Sequence, residues 1–308
     1  MIKIENLVKN YDGFQALKGI SFEVKEGDIF GFIGPNGAGK TTTFRILATL
    51  LDPDSGTVRV NGFDIIDEPQ KVRRSIGFMP DFFGVYERLT VREYLDFFAA
   101  CYGLRRKERQ QVVNDVMDLT DLMTLKDKVS STLSKGMKQR LCLAKTLVHN
   151  PQVLILDEPA AGLDPRARIE FRALLKELRN MGKTILISSH ILTELSDVCN
   201  AVAIIEKGSM VAWGGIEQIK KSLTTAKSVC LKVLDQAEEA QKLLQTFPGI
   251  SSITTNDNQL NFQFSEDDAK LSELICHLAT KGISIIGLHE EKTDLEDLFM
   301  KLTKGEVT

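Results

Sequence analysis

The chain has 308 residues, of which 43% are hydrophobic and 26% are charged, so it is long enough for about two domains that each bury a core. This composition argues against intrinsic disorder and against a fibrous array. The 39 Lys and Arg residues against 42 Asp and Glu residues give a formal net charge of -3, which provides no broad positive field. We therefore expect no nucleic-acid partner, and any polyanion must be bound at a local site.

The sequence also predicts no membrane-spanning helix, no secretory signal and no disulfide or metal site built from cysteines. Apolar runs such as residues 153–156 and 201–205 are the size of strands, well below the roughly 18 residues that a spanning helix needs. The N-terminal residues Met1-Ile-Lys-Ile-Glu carry charges where a secretory signal is apolar. The 5 Cys residues have no Cys-x-x-Cys spacing, so neither a disulfide framework nor a zinc site is predicted. We expect a cytoplasmic protein.

The first informative segment is an apolar strand over residues 29–33, followed by Gly34-Pro-Asn-Gly-Ala-Gly-Lys40-Thr41 and then by apolar residues at helical spacing. This string fits G-x-x-x-x-G-K-[ST] between a strand and a helix, the context that a phosphate-binding loop requires. Its backbone N–H groups can surround a phosphate, Lys40 can contact the β- and γ-phosphates, and the Thr41 hydroxyl can ligate Mg²⁺. The predicted nucleotide-binding residues here are Gly34, Pro35, Asn36, Gly37, Ala38, Gly39, Lys40, Thr41 and Thr42.

Further along the chain, residues 85–135 are charged and contain few helix breakers, which predicts a helical insertion. Apolar runs over 153–156 and 184–187, separated by a helical pattern, then predict buried parallel strands with a crossover helix. Asp157 and Glu158 follow the first of these strands. We predict that Asp157 lies on the metal side of the nucleotide, and that Glu158 polarises the water that attacks the γ-phosphate.

Residues 1–220 are thus predicted to form an α/β nucleotide-binding domain, and residues 221–308 a second domain after a small, polar linker over 222–228. The second domain has a β-α-β-β-α-β pattern of apolar residues, which predicts a small ferredoxin-like α+β fold. A last helix is predicted over 295–302. No cluster of titratable groups marks a site in this domain, so packing or regulation is its favoured role.

Leu133-Ser-Lys-Gly-Met-Lys-Gln139, followed by the strand that ends at Asp157-Glu158, resembles the signature segment of ATP-binding cassette (ABC) proteins. The resemblance extends over about residues 1–215 and implies a P-loop ATPase core with ATP and Mg²⁺ as cofactors. It implies that the signature contacts the nucleotide of a second ATP-binding subunit, which is either an identical chain or a related one. By motif match, Ser134 and Gly136 are the signature residues that contact the nucleotide of the other subunit, in trans, and Asp164 belongs to the D-loop. His190 matches the catalytic switch histidine that acts beside Glu158, and Tyr11 matches the aromatic residue that stacks on adenine.

The sequence departs from the family pattern at two places. Asp81 stands where most members have a Gln that senses the γ-phosphate, and it is a further candidate ligand for Mg²⁺ besides Thr41 and Asp157. Lys135 and Met137 replace the usual Gly and Gln of the signature, which adds a cation near the phosphates and removes the Gln contacts.

A single cassette with an α+β tail most resembles the ATP-binding subunits of ABC-2 multidrug-type exporters. This resemblance implies a separate membrane-spanning permease, ATP-driven dimer closure, and attachment to the cytoplasmic face of the membrane through the permease. Two alternatives stay open at this point. One is a soluble ABC ATPase that acts on ribosomes or nucleic acid, and the other is a weakly hydrolysing regulatory cassette. The single phosphate-loop motif and the lack of sustained heptads favour the transporter.

Overall fold

The computed structural model describes residues 1–82, 84–191, 195, 197–216, 218, 219 and 227–290. The chain divides into two compact units, and the boundary between them lies between Ile216 and Glu217. Residues 222–226 of the predicted linker and the predicted helix over 295–302 lie outside the described residues.

The first unit begins with a four-stranded antiparallel sheet that the sequence analysis did not predict. Its strands, in the order β2-β1-β4-β5, are β1 (Ile2–Tyr11), β2 (Phe14–Val24), β4 (Ser55–Val60) and β5 (Phe63–Asp64). Asp12 and Gly13 make the turn between β1 and β2, and Gly13 has a φ of 86°, as expected for an Asp-Gly hairpin. This turn pairs Tyr11 with Phe14 across the hairpin.

A six-stranded sheet forms the centre of the first unit. Its strands are β3 (Ile29–Ile33), β6 (Ile76–Met79), β7 (Val153–Leu156), β8 (Thr184–Ser189), β9 (Ala201–Glu206) and β10 (Ser209–Gly215), in the order β10-β9-β3-β8-β7-β6. The five strands from β9 to β6 are parallel, and β10 is an antiparallel edge strand that carries a half-exposed Trp213. β3, β7 and β8 are buried at every residue, which explains their continuous apolar runs.

Helices connect and flank these strands. They are α1 (Lys40–Leu47), α2 (Pro69–Ser75), α3 (Val91–Cys101), α4 (Arg106–Leu119), α5 (Lys135–Leu147) and α6 (Pro165–Asn180). Within the predicted insertion, α3 begins with a capping box between Thr90 and Glu93. Phe32 of β3 contacts Phe22 of β2 and Phe44 of α1, with ring centroids 5.1 and 5.8 Å apart, so aromatic packing joins the two sheets and the first helix.

The second unit consists of β11 (Lys227–Val233), α7 (Ala237–Thr246), β12 (Ile250–Asn256), β13 (Gln259–Phe264), α8 (Asp268–Thr280) and β14 (Ile285–Glu290). Its antiparallel sheet has the order β12-β13-β11-β14. Alternate residues of β11 and β13 are buried with residues of α7 and α8 in one apolar core. The predicted α/β core with a ferredoxin-like α+β domain is therefore confirmed.

Candidate nucleotide-binding site

Parallel pairing brings the segments that follow β3, β6, β7 and β8 to one edge of the central sheet. A cavity of about 460 Å³ opens there. The predicted residues that line it are Tyr11, Asn36, Gly37, Gly39, Lys40, Thr41, Thr42, Asp81, Glu158 and His190. Four segments that are distant in sequence thus meet around one cavity, and Tyr11 of the β1–β2 hairpin lies at its side.

The phosphate-loop residues are held by close backbone packing. A Cβ atom at Gly34 would lie 2.3 Å from the carbonyl oxygen of Ile205, so only glycine fits there. Gly39 has a φ of 109°, a conformation that favours glycine, and α1 begins directly after it. Lys40 Nζ donates hydrogen bonds to the carbonyl oxygens of Gly34 at 2.7 Å and Pro35 at 3.2 Å, which holds the cation within the loop.

Asp157, which directly precedes Glu158 in the chain, is only 1% exposed. Ser188 Oγ donates to Asp157 Oδ1 at 2.6 Å and accepts the backbone N–H of Glu158 at 2.8 Å. Burial raises the pKa of Asp157, and the charges of Asp81 and Glu158 raise it further, whereas hydrogen bonds from Ser188 and Thr41 lower it. Ser188 was not predicted as a site residue, although it precedes the predicted His190 by two residues.

The residues at this position fit a hard cation. Asp157 Oδ2 is buried and has no hydrogen-bond partner among the described residues. The Thr41 side chain contacts the same carboxylate, and Asp81 lies close enough to affect its pKa. Hydroxyl and carboxylate oxygens are the ligands that Mg²⁺ takes in nucleotide sites, together with phosphates and water.

Glu158 is held between two other side chains at the cavity. His190 Nδ1 donates to Glu158 Oε2 at 2.8 Å, and Lys40 Nζ lies 3.4 Å from Glu158 Oε1. Glu158 also has a φ of 48°, a strained conformation for a residue with a side chain and one that is enriched at functional sites. A carboxylate fixed in this way can orient a water molecule and accept its proton.

Three residues that line the cavity were missed by the sequence analysis. Phe14 and Ala16 lie on β2, and Ala161 lies just beyond Glu158. Phe14 is 57% exposed and is the cross-strand partner of Tyr11, which is 42% exposed. The Asp-Gly turn between them was a signal that could have located Phe14, because it fixes the hairpin register.

Ser134, Gly136 and Asp164, the predicted signature and D-loop contacts, do not line this cavity. Ser134 caps α5 by accepting the Met137 N–H at 3.3 Å, and Gly136 lies in the first turn of that helix. Asp164 caps α6 by accepting the Ala167 N–H at 2.9 Å. These three residues are therefore separate from the nucleotide cavity of their own chain.

Comparison with known proteins identifies the family of the chain. Residues 17–161 match the family model described as ABC transporter, and residues 214–303 match that of the ATP-binding protein DrrA1-3-like, C-terminal domain. The chain is 32% identical over 306 residues to the linearmycin resistance ATP-binding protein LnrL of Bacillus subtilis (strain 168), covering 98% of each chain. It is also 32% identical over 303 residues to the daunorubicin/doxorubicin resistance ATP-binding protein DrrA of Streptomyces peucetius, covering 98% of this chain and 92% of the relative.

Solved structures of ABC transporter cassettes also resemble the chain. A dimeric structure of a bacterial ABC transporter cassette shares 26% sequence identity with the chain and has a TM-score of 0.65, covering 70% of this chain and 99% of that one. Among the described residues, no helix has the length and apolar character needed to cross a membrane.

The chain belongs to the ATP-binding proteins of ABC transporters. It is an ATPase of the kind that is coupled to transport, and the predicted resemblance is confirmed.

Proposed function

We propose that this chain is the ATP-hydrolysing subunit of an ABC exporter and powers export through a membrane-spanning permease on a separate chain. The observation that carries the proposal is the meeting of Lys40, Thr41 and the Glu158–His190 pair around one cavity. The names of the two relatives, both resistance proteins, support export as the direction of transport.

In this proposal, the loop of residues 34–42 binds the phosphates of ATP and Tyr11 stacks on adenine. Thr41 and Asp157 would hold Mg²⁺, with Asp81 as a further candidate ligand, and the ion would supply positive charge that offsets the charge of the phosphates. Glu158 orients the attacking water and accepts its proton, and His190 keeps the Glu158 carboxylate in position through the 2.8 Å hydrogen bond.

Two ATP-binding subunits close on each other in each cycle. Ser134 and Gly136 offer the N-terminal N–H groups of α5 to the γ-phosphate of the partner subunit's nucleotide, and Asp164 lies in the D-loop between the two sites. Their separation from the cavity of their own chain supports this role, and so does the dimeric structure of a related cassette. Hydrolysis removes the γ-phosphate and with it the affinity that favours closure.

The permease docks on the helical insertion and on the segment from Asp81 to Arg92. This surface is rich in exposed aromatic rings: Phe82 is 85% exposed and Tyr86 is 53% exposed. Tyr86 also packs on Phe97 and Phe98, with ring centroids 5.5 and 6.1 Å apart. Exposed aromatic clusters of this kind are typical of protein interfaces. Docking there attaches the protein to the cytoplasmic face of the membrane.

Affinity capture from detergent-solubilised membranes of the native host tests the proposal. We expect a polytopic membrane protein to be recovered in a stoichiometric amount with the native chain. The double variant Tyr86→Ser/Phe97→Ser should lose it, because two apolar anchors are removed. Ile286→Ser, which changes an exposed apolar residue of the second unit, is the matched control and should retain it. Recovery only of ribosomes or nucleic acid would contradict the transporter function.

A further inference from the structure

The signature helix α5 is tied to the D-loop, residues 160–164, of its own chain. Just before the loop, Gln139 Nε2 donates to the carbonyl oxygen of Pro159 at 2.5 Å, and the Gln139 side chain is buried. Within the loop, a Cβ atom at Gly136 would lie 3.3 Å from Leu163 Cδ2, so the backbone of α5 packs closely on the Leu163 side chain.

Lys135 covers the middle of the D-loop. Gly162 has a φ of +72°, and a Cβ atom placed on it would lie 2.1 Å from Nζ, 3.2 Å from Cε and 3.8 Å from Cδ of Lys135. The end of the lysine side chain, Nζ with Cε, therefore lies against the bare face of this glycine. Lys135 is one of the positions where the sequence departs from the usual signature glycine, and a glycine there would leave this face uncovered.

The helix that follows the D-loop also bonds to α5. α6 begins directly after the loop, and Arg140 of α5 bonds to Glu170 of α6 and to Asp121, two residues beyond the end of α4. Residues of one helix thus contact the chain before, within and after the D-loop.

The D-loop in turn adjoins the catalytic carboxylate. The Ala161 N–H donates to the carbonyl oxygen of Glu158 at 3.1 Å, and both residues line the nucleotide cavity. Because Glu158 has a strained backbone with a φ of 48°, its place depends on the residues that surround it. A shift of the D-loop therefore changes the position of Glu158.

We infer that Lys135 is a positioning residue for hydrolysis: by covering Gly162 it couples the signature to Glu158 of the same chain. The inference rests on the proposed function, in which the signature binds the nucleotide of the partner subunit. A signature that has bound this nucleotide then fixes the D-loop and Glu158, so that filling one site prepares hydrolysis at the other.

The test measures ATP hydrolysis and ATP binding of the purified full chain. Lys135→Gly should lower kcat by about tenfold, the scale expected for a sub-ångström misplacement of a catalytic group. It should leave the KM and the Kd for ATP within about twofold, because the cavity itself is unchanged, and it should abolish positive cooperativity in ATP. Lys135→Arg reaches as far as Nζ, and Lys135→Met reaches as far as Cε, the atom 3.2 Å from the Cβ position of Gly162. Both variants therefore still cover Gly162 and should retain most of the native kcat.

Control variants distinguish the covering role of Lys135 from an effect of its charge and from the general effect of a glycine at a helix start. Lys107→Gly makes the same replacement in the first turn of α4 and should keep the native kcat. Lys135→Ala replaces the Gly variant if that variant does not fold. If Lys135→Met loses as much activity as Lys135→Gly, the ammonium acts by its charge and the covering role is overturned. A native kcat in Lys135→Gly would overturn it as well.

A double-mutant cycle gives an independent readout. Gly162→Ala introduces a methyl group that displaces the Lys135 side chain, so it removes the same contact from the opposite side, and it also strains a backbone with a φ of +72°. The losses in kcat of Lys135→Gly and Gly162→Ala should therefore not multiply in the double variant. Multiplicative losses would overturn the inference. If the native chain hydrolyses no ATP, both the proposed function and this inference fail. If the native chain hydrolyses ATP and the Lys135 variants do so at the native rate, only the inference is contradicted.

Discussion

The two units of the chain bury different kinds of residues. In the first unit the buried set includes Lys40, Asp157 and Ser188, which bond within the nucleotide site, and Gln139, which bonds to Pro159 just before the D-loop. In the second unit, among residues 227–290, every buried side chain is apolar or a cysteine. Buried polar groups reduce stability unless they are paired, so their concentration in the first unit indicates chemistry, whereas the buried core of the second unit consists of apolar packing.

The largest effect on catalysis should come from the first unit. We predict that Glu158→Gln lowers kcat by about 10²- to 10⁴-fold, because the proton acceptor is lost, while ATP binding is retained and closed dimers accumulate. Hydrolysis assays and size-exclusion chromatography with ATP measure both effects. Glu273→Gln in α8 is the control and should leave kcat unchanged. Hydrolysis at the native rate in Glu158→Gln would show that another group is the base.

The largest effect on stability should come from the second unit. Phe262→Ala removes a ring that is 1% exposed, and we expect a loss of about 3–5 kcal/mol in the free energy of unfolding of that unit. Calorimetry measures it, and added ATP should raise only the transition of the first unit. Ile286→Ala changes an exposed residue and should be near neutral. If Phe262→Ala weakened ATP binding, the units would depend on each other and the contrast between them would fail.

Removal of Lys40, the cation of the phosphate loop, should have the next largest effect. Lys40→Ala should weaken ATP binding by about 100-fold, because a buried charge that contacts the phosphates is lost. Isothermal titration with Mg-ATP measures the affinity. Lys270→Ala in the second unit removes a lysine that pairs with Glu273 at 2.7 Å and should not alter it. Equal losses in the two variants would mean that Lys40 has no special role.

The smallest effect tests the burial of charge directly. Because burial raises the pKa of Asp157, its ionised form is disfavoured in the folded state. At a pH above this raised pKa, the buried carboxylate lowers the free energy of unfolding. As the pH falls through the raised pKa, the carboxylate is protonated and this loss of stability disappears. Asp157→Asn should therefore increase the free energy of unfolding by about 1 kcal/mol at neutral pH in EDTA, which is measured as a higher Tm. The gain should be smaller at acid pH. The same variant should lose ATP hydrolysis. A lower Tm at neutral pH would contradict this reasoning.

The sequence predicted those parts of the molecule that depend on local patterns. The buried strands around Asp157 and the phosphate loop were recognisable because continuous apolar runs and glycine spacing follow directly from backbone chemistry. The β-α-β-β-α-β pattern of the second unit was visible for the same reason, since β13 alternates strictly between buried and less buried residues.

Contacts between distant segments could not be predicted in this way. Ser188 bonds to Asp157 across two adjacent strands, and Gln139 bonds to Pro159 across 20 positions. Both contacts depend on how elements pack, which periodicity does not encode. The antiparallel sheet of β1, β2, β4 and β5 was missed because register shifts in β1 interrupt the alternation of its side chains.

Trp213, on the edge strand β10, has a practical consequence for spectroscopy. It is the only tryptophan in the chain, and the 4 tyrosines, Tyr11, Tyr86, Tyr94 and Tyr102, also lie in the first unit. Intrinsic fluorescence and near-ultraviolet absorbance above the phenylalanine bands therefore report on the ATP-binding unit alone. Far-ultraviolet circular dichroism records both units. A denaturation followed with the two signals side by side resolves the order in which the units unfold without any added label.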